Sequence, residues 1–282
     1  MSVRVAALQM CSSTDREANL AAAAALLVEA ARAGAKLAVL PENFAFLAAR
    51  DADRLRAAEP AGDGPAQSFL ADQAARLDLW IVGGTVPVLD PGAARPAAAC
   101  LLFDARGRPV ARYDKIHLFD VDIPGTAEGY RESAATTPGR RVVVADSPLG
   151  RLGLGVCYDV RFPELFRAQA AAGVDCIALP SAFTVPTGRA HWELLVRARA
   201  VENLCAVVAA AQWGVHEGGR RTWGDSMIVD HWGEVLARRR EGAGVVIADV
   251  DPEAQSAARR RFPALAHRLP PGSLLPPNKE TQ

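Results

Sequence analysis

The sequence predicts an α/β fold in which helices and mixed sheet stack in layers, and three observations carry that reading. Short apolar runs alternate with longer amphipathic ones in the first and third quarters of the chain. Hairpin-like pairs occupy its middle and end, which argues against a purely parallel sheet. Half of the 282 residues are apolar, ample for one sizeable core. No composition break, linker or internal repeat divides the chain. One domain over residues 1–268, followed by a proline-rich tail over 269–282 packed as an extended segment, is the expectation.

The elements follow in order. Val3–Gln9 reads as a strand. Asp15–Arg32 reads as a helix, with Ser13 or Thr14 as N-cap and Gly34 just past its end. Lys36–Leu40 is a buried strand running into Pro41-Glu42-Asn43. Pro65–Leu77 reads as a helix with proline in its first turn, where no N–H is needed. The strand Trp80–Val82 and the turn Gly83-Gly84 come next. Ala98–Asp104 and Pro109–Tyr113 form a hairpin across Arg106-Gly107. From Lys115 to Pro138 there is no period and many turn residues, and a loop that long inside a domain is usually functional. Strands at Val142–Ala145 and Leu152–Val156, a helix at Pro163–Ala172 and a strand at Asp175–Leu179 follow. The helix Ala190–Leu204 leads to the strand Ala206–Ala211. Ser226–Val229 and Glu234–Arg238 flank the turn His231-Trp232-Gly233, and Val245–Val250 is the last strand.

Composition narrows the function. Lys+Arg and Asp+Glu both number 32, so the chain has no whole-molecule field for nucleic acid or an anionic membrane. No run approaches the roughly 20 apolar residues of a membrane span, and the N-terminal segment lacks the order of features of a secretory signal. A cytoplasmic protein is expected. The 5 cysteines and 5 histidines are scattered, without a Cys-x-x-Cys or His-x-x-x-His pair, so neither a disulfide framework, a metal nor another cofactor is expected.

Three strand ends carry reactive groups. Cys157 follows Leu152–Val156 and precedes a turn and a helix, an arrangement that resembles a nucleophile elbow. A buried structural cysteine is the commoner fate of a lone Cys, and Cys11, Cys100, Cys176 and Cys205 are read that way. Glu42 ends a buried strand beside Phe44 and Phe46, where a surface carboxylate or helix cap is the plainer alternative. Lys115 ends Val110–Tyr113, where a solvated strand end is the plainer alternative. Together a thiol, a carboxylate and an ammonium supply a nucleophile, a proton carrier and an oxyanion stabiliser. Arg161, four residues past Cys157, is placed to clamp a carboxylate with its planar fork or to pair with Glu164.

Pro41-Glu42-Asn43, the segment Tyr113-Asp114-Lys115-Ile116-His117-Leu118-Phe119-Asp120 and the segment Gly155-Val156-Cys157-Tyr158-Asp159-Val160-Arg161-Phe162-Pro163-Glu164 resemble the signature segments of the nitrilase (carbon–nitrogen hydrolase) superfamily, in order and approximate separation. The likeness runs from about Val3 to about Arg268. Asp120–Gly125, Arg131–Ser133, Ser181–Phe183, Ala190–Glu193 and Ala209–Gln212 are most similar to the branch of amidases that act on deaminated glutathione. The resemblance implies a four-layer α-β-β-α sandwich with mixed sheets and assembly into homodimers or larger homo-oligomers. It implies a Glu42-Lys115-Cys157 triad, a second glutamate at Glu132, and an oxyanion donor in the backbone N–H of Tyr158. It also implies a pocket lined by Ser181, Phe183 and Thr187, and a small α-keto acid amide as substrate. An ω-amidase acting on α-ketoglutaramate is the neighbouring reading. A papain-like pairing of Cys157 with His191 and a sandwich kept only as a binding module are the alternatives in other classes. The chain departs from the family pattern at Trp223-Gly224-Asp225-Ser226, where relatives commonly carry Tyr-Gly-His-Ser.

Overall fold

The strand Val3–Gln9 sets the layering through its two-residue period. Val5 and Ala7 face a core shared with Leu37, Val39 and Leu102 of their own sheet and with Leu152, Leu154 and Val207 of a second sheet. Ala6 and Leu8 face the other way, against Leu27 and Ala30 of the helix Arg16–Arg32 and Leu70 and Ala74 of the helix Pro65–Leu77. Across the second sheet, Leu165 and Phe166 of Pro163–Ala171 and Trp192, Val196 and Ala200 of Val185–Asn203 form the last layer. The result is the α-β-β-α sandwich. A computed structural model describes residues 2–50 and 53–269 of the chain.

The first sheet has 8 strands, in the order Gly244–Val250, Val3–Gln9, Leu37–Val39, Trp80–Val82, Ala97–Phe103, Val86–Leu89 and Glu59–Pro60, with Pro109–Asp114 also on Ala97–Phe103. Its centre is parallel, Val5 beside Leu37 and Leu37 beside Trp80; Gly244–Val250 and Ala97–Phe103 pair antiparallel with it, and the edge strand Glu59–Pro60 runs parallel to Val86–Leu89. The second sheet has 6 strands, in the order Val144–Ser147, Gly150–Leu154, Cys176–Ser181, Ala206–Ala211, Ser226–Val229 and Val235–Arg239. Gly150–Leu154, Cys176–Ser181 and Ala206–Ala211 run parallel. Their C-terminal ends therefore open on one edge, as the ends of the parallel strands of the first sheet do.

Several expectations need correction. The first helix is capped by Asp15, whose carboxylate accepts from Ala18 N at 3.0 Å, rather than by Ser13 or Thr14. A carboxylate at that position also meets the positive end of the helix dipole. The helix expected from Ala190 begins at Val185, because Pro186 sits in its first turn, where a proline costs no hydrogen bond. The aperiodic stretch after Lys115 contains a small hairpin, Asp120–Asp122 with Gly129–Arg131, and a 3₁₀ turn at Glu132–Ala134. An unforeseen helix, Pro252–Arg261, follows the last strand, with Asp251 accepting from Glu253 N and Ala254 N. Cys11 is exposed, whereas Cys100, Cys176 and Cys205 are buried. The expected tail over 269–282 lies, apart from Leu269, outside the described residues.

Candidate active site

Glu42 stands just past Leu37–Val39, and the chain there is held by close backbone contact. Gly84 has φ +51°, and a Cβ on it would lie 2.1 Å from the Pro41 carbonyl oxygen, so only glycine lets that turn press on the strand end. Asn43 N donates to Thr85 Oγ1 at 2.8 Å, and Gln212, at the end of a strand of the other sheet, donates to the Glu42 carbonyl at 3.1 Å. Lys115 follows Pro109–Asp114, its N–H bonded to Ala98 O and its C=O accepting from Gly139 N at 2.8 Å. The two side chains thus arrive from different strands of the first sheet.

Cys157 comes from the second sheet. The strand Gly150–Leu154 ends, Val156 is still extended, and Cys157 turns into the left-handed region at φ +49° before a 3₁₀ turn over Cys157–Arg161. A non-glycine residue held there stores strain that the surroundings must overcome. Asp159 supplies that restraint. Its buried carboxylate accepts from Val156 N at 2.8 Å and from Tyr113 OH at 2.7 Å, and it also accepts from His117 N at 3.0 Å. It lies 2.7 Å from His117 Nδ1 as well, so one side chain ties the elbow to the segment carrying Lys115. His117 in turn stacks on Phe162, ring centroids 3.7 Å apart.

The charges meet at Lys115, only 1% exposed. Its Nζ donates to Glu42 Oε1 and to Glu132 Oε2, both at 2.8 Å. Glu132 Oε2 also accepts from Phe119 N at 2.8 Å, and its other oxygen lies 3.8 Å from Arg54 Nη1. Burial alone would push the Glu132 carboxyl up. The charges of Lys115 and Arg54, with these hydrogen bonds, hold it down at about 2. Burial would lower Lys115, but Glu132 and Glu42 raise it above the ordinary lysine range, so it is a fixed cation. The Cys157 thiol is pushed well up, first by burial and then by the charge of the Glu42 carboxylate. Lys115 and the Ala182 N–H, 3.4 Å from the sulfur, pull the other way and lose. The resting group is a neutral thiol beside a carboxylate.

These groups form the floor of a concave pocket whose wall also includes Asn43, Phe119 and Tyr130. Tyr158, Phe183 and Thr187 line it as well, while Ser181 does not. Ser181 is fully buried, its hydroxyl on Leu179 O, because it is still part of the strand Cys176–Ser181. Arg161 is not on the wall either. Its guanidinium lies 5.3 Å from the Phe183 ring centre and 5.9 Å from that of Tyr158, and Nη1 lies 3.2 Å from His191 Nδ1. No ion pair joins it to Glu164 among the described residues, and His191 faces Arg161 rather than Cys157. Sequence reasoning gave no role to Asp159, Gln212, Arg54 or Arg220, although Asp159 and Gln212 sat inside segments already singled out.

Asp225 lies off the cavity, in an ion pair with Arg238 at 2.5 and 2.6 Å. Its φ is +64°, and its carbonyl accepts from Trp192 Nε1 at 2.7 Å. The departure at Trp223-Gly224-Asp225-Ser226 therefore changes a buried structural contact rather than the cavity wall. Among the described residues no cluster of His, Cys, Asp or Glu could hold a metal ion, and no helix is long and apolar enough to cross a membrane.

Comparison with known proteins agrees with this architecture. The family model described as carbon-nitrogen hydrolase matches residues 4–260. The chain is 42% identical over 273 residues to the deaminated glutathione amidase of Yersinia enterocolitica, covering 96% of this chain and 95% of that protein. It superposes on the crystal structure of Saccharomyces cerevisiae Nit3, a member of branch 10 of the nitrilase superfamily, with a TM-score of 0.84 and 32% identity, covering 93% and 94% of the two chains. An amidase from Nesterenkonia sp. that carries acrylamide on its active-site cysteine is similar at a TM-score of 0.75 and 26% identity, covering 92% and 97%.

Proposed function

This chain belongs to the carbon–nitrogen hydrolase family and hydrolyses carbon–nitrogen amide bonds, and from that premise we propose that it cleaves a small α-keto acid amide, deaminated glutathione foremost, through a thioester on Cys157. One observation carries the mechanism: Lys115 Nζ lies 2.8 Å from both Glu42 and Glu132, and the charge of the same Glu42 acts on the Cys157 thiol.

Glu42 takes the thiol proton as the sulfur attacks the amide carbonyl carbon. The sulfur–carbon bond forms, and the charge moves to the carbonyl oxygen, which Lys115 Nζ and the backbone N–H of Tyr158 stabilise. Donors of that kind are worth roughly 3–4 kcal/mol each. Glu42 returns the proton to the nitrogen, the carbon–nitrogen bond breaks and the amine leaves. Water enters, gives a proton to Glu42 and attacks the thioester. The acid departs as sulfur takes the proton back. Glu132 exchanges no proton in this scheme. Its carboxylate, held ionised by Lys115 and Arg54, fixes the ammonium at the angle the oxyanion needs. Homo-oligomer formation and a cytoplasmic site of action belong to the same reading and rest on the family resemblance.

The test is an activity panel with deaminated glutathione, α-ketoglutaramate and a neutral amide of similar size, using wild type and Cys157→Ala. Wild type should be most efficient on deaminated glutathione, and Cys157→Ala should fold yet retain less than about 1% of that rate, since the nucleophile is gone. Greatest efficiency on α-ketoglutaramate would move the assignment to an ω-amidase. Turnover by Cys157→Ala above that level would remove Cys157 as the nucleophile.

A further inference from the structure

We infer that Arg220 is the residue that receives the carboxylate on the acyl side of the substrate, and that it thereby sets the enzyme's preference for anionic over neutral amides. The inference rests on the amidase reading above and deepens it.

The charge of the cavity wall points to an anion. Among the described residues Glu42 and Glu132 face Lys115, Arg54 and Arg220 there, three cations against two carboxylates on the wall itself. Glu42 and Glu132 balance the charge of Lys115, which keeps a third N–H for the oxyanion, and Arg54 leans on Glu132. Among the described residues no carboxylate forms an ion pair with Arg220. Its Nε is buried and among the described residues has no hydrogen-bond partner, an unusual state for a guanidinium. Its one side-chain hydrogen bond among the described residues is Nη2 to Ala182 O at 3.4 Å, long for such a bond.

The group is nevertheless held in place. It lies over the Tyr130 ring, 5.5 Å from the centroid, and Tyr130 also lines the cavity. The Arg220 carbonyl accepts from His216 N at 2.8 Å, which closes the turn between Trp213–Val215 and Arg221–Trp223. A planar fork pre-set against a ring, with an unused N–H in a buried place, loses little freedom when a carboxylate arrives.

Its position relative to the nucleophile fits an α-keto ω-amide. Ala182 offers its N–H to Cys157 Sγ at 3.4 Å and its carbonyl to Arg220, so one residue's backbone separates sulfur from guanidinium. In a five-carbon keto acid amide, roughly 5 Å separates the scissile carbonyl from the carboxylate at ordinary bond lengths. Arg161 lacks these features. Its guanidinium lies over the Phe183 and Tyr158 rings, and His191 Nδ1 is 3.2 Å from one of its nitrogens.

The experiment compares wild type, Arg220→Gln, Arg220→Lys and Arg161→Gln on three amides. These are α-ketoglutaramate, with its carboxylate on the acyl side, N-butanoylglycine, with its carboxylate on the leaving group, and butanamide, with none. Iodoacetamide labelling of Cys157 and the melting temperature report whether each variant keeps a folded site. Arg220→Gln should lower kcat/KM on α-ketoglutaramate roughly 10- to 100-fold, chiefly through KM, the scale of one hydrogen bond to a charged group. Its losses on the other two amides should stay below about threefold, and Arg220→Lys should recover only part of the preference. Equal losses on all three amides, a loss confined to N-butanoylglycine, or a selective loss in Arg161→Gln would each overturn the assignment. Failure of the amidase reading looks different. There, wild type itself would show no preference for α-ketoglutaramate over butanamide.

Discussion

The two sheets bring their parts of the site to the same cavity by opposite means. The first contributes Glu42 and Lys115, and the hairpin leaving it contributes Glu132, so that side is a cluster of buried charges holding one another at 2.8 Å. The second contributes Cys157, neutral at rest, kept in place by a left-handed backbone and the hydrogen bonds of Asp159. The difference teaches how each side should fail. Removing a charge from the first exposes its partners to an uncompensated buried environment. Altering the second leaves the charges intact and misplaces an atom, and misplacement near the chemistry costs rate more than stability.

The largest effect should come from Lys115→Met. With the ammonium gone, Glu42 and Glu132 confront each other beside Arg54 alone, and breaking a buried pair costs about 3–5 kcal/mol. Urea unfolding should register a loss of that order, with amide hydrolysis absent. A variant as stable as wild type would show that the charge cluster does not brace the first side.

Asp159→Asn should do less to stability and proportionately more to turnover. Tyr113 OH, Val156 N and His117 N all donate to this carboxylate, so an amide NH₂ must face at least one donor. Leaving a buried donor unpaired costs about 1–3 kcal/mol. Hydrolysis should drop at least about tenfold, and iodoacetamide labelling of Cys157 should slow in parallel, as expected of a misplaced nucleophile. Normal turnover with a lowered melting point would reduce Asp159 to a packing residue.

The smallest effect is one of pH. Glu132 titrates at about 2 in the folded protein, below its ordinary value, so its contribution is complete above the unfolded pKa and drains away as pH falls towards 2. Stability should therefore decline between roughly pH 5 and pH 3, and Glu132→Gln should flatten that decline by about 1–2 kcal/mol. An unchanged slope would show that Glu132 is not held as an anion.

Much of this was legible because it is local. The strands Val3–Gln9, Trp80–Val82 and Ala206–Ala211 and the helix Pro65–Leu77 follow from apolar period, a proline in the first turn and terminal glycines, all within one element. The elbow at Cys157 was visible as a strand meeting a turn and helix. The hairpin bearing Tyr130 and leading into the turn at Glu132 was not, since its strands are only 3 residues each and alternate too briefly to show a period. The helix Pro252–Arg261 carries its own local signal, Asp251-Pro252-Glu253, a capping carboxylate followed by a proline in the first turn.

What the sequence determined by itself is the order of strand ends and the chemical groups they carry: Glu42, Lys115 and Cys157, each placed by its own few neighbours. What tertiary structure decided is which further side chains face that point. Arg161, four residues from Cys157, lies over Tyr158 and Phe183 beside His191, while Arg220, far along the chain, comes to the cavity wall. Asp225 turns to Arg238 instead of the cavity. A long side chain takes its direction from packing and charge partners on other elements, and those partners are fixed only when the two sheets meet.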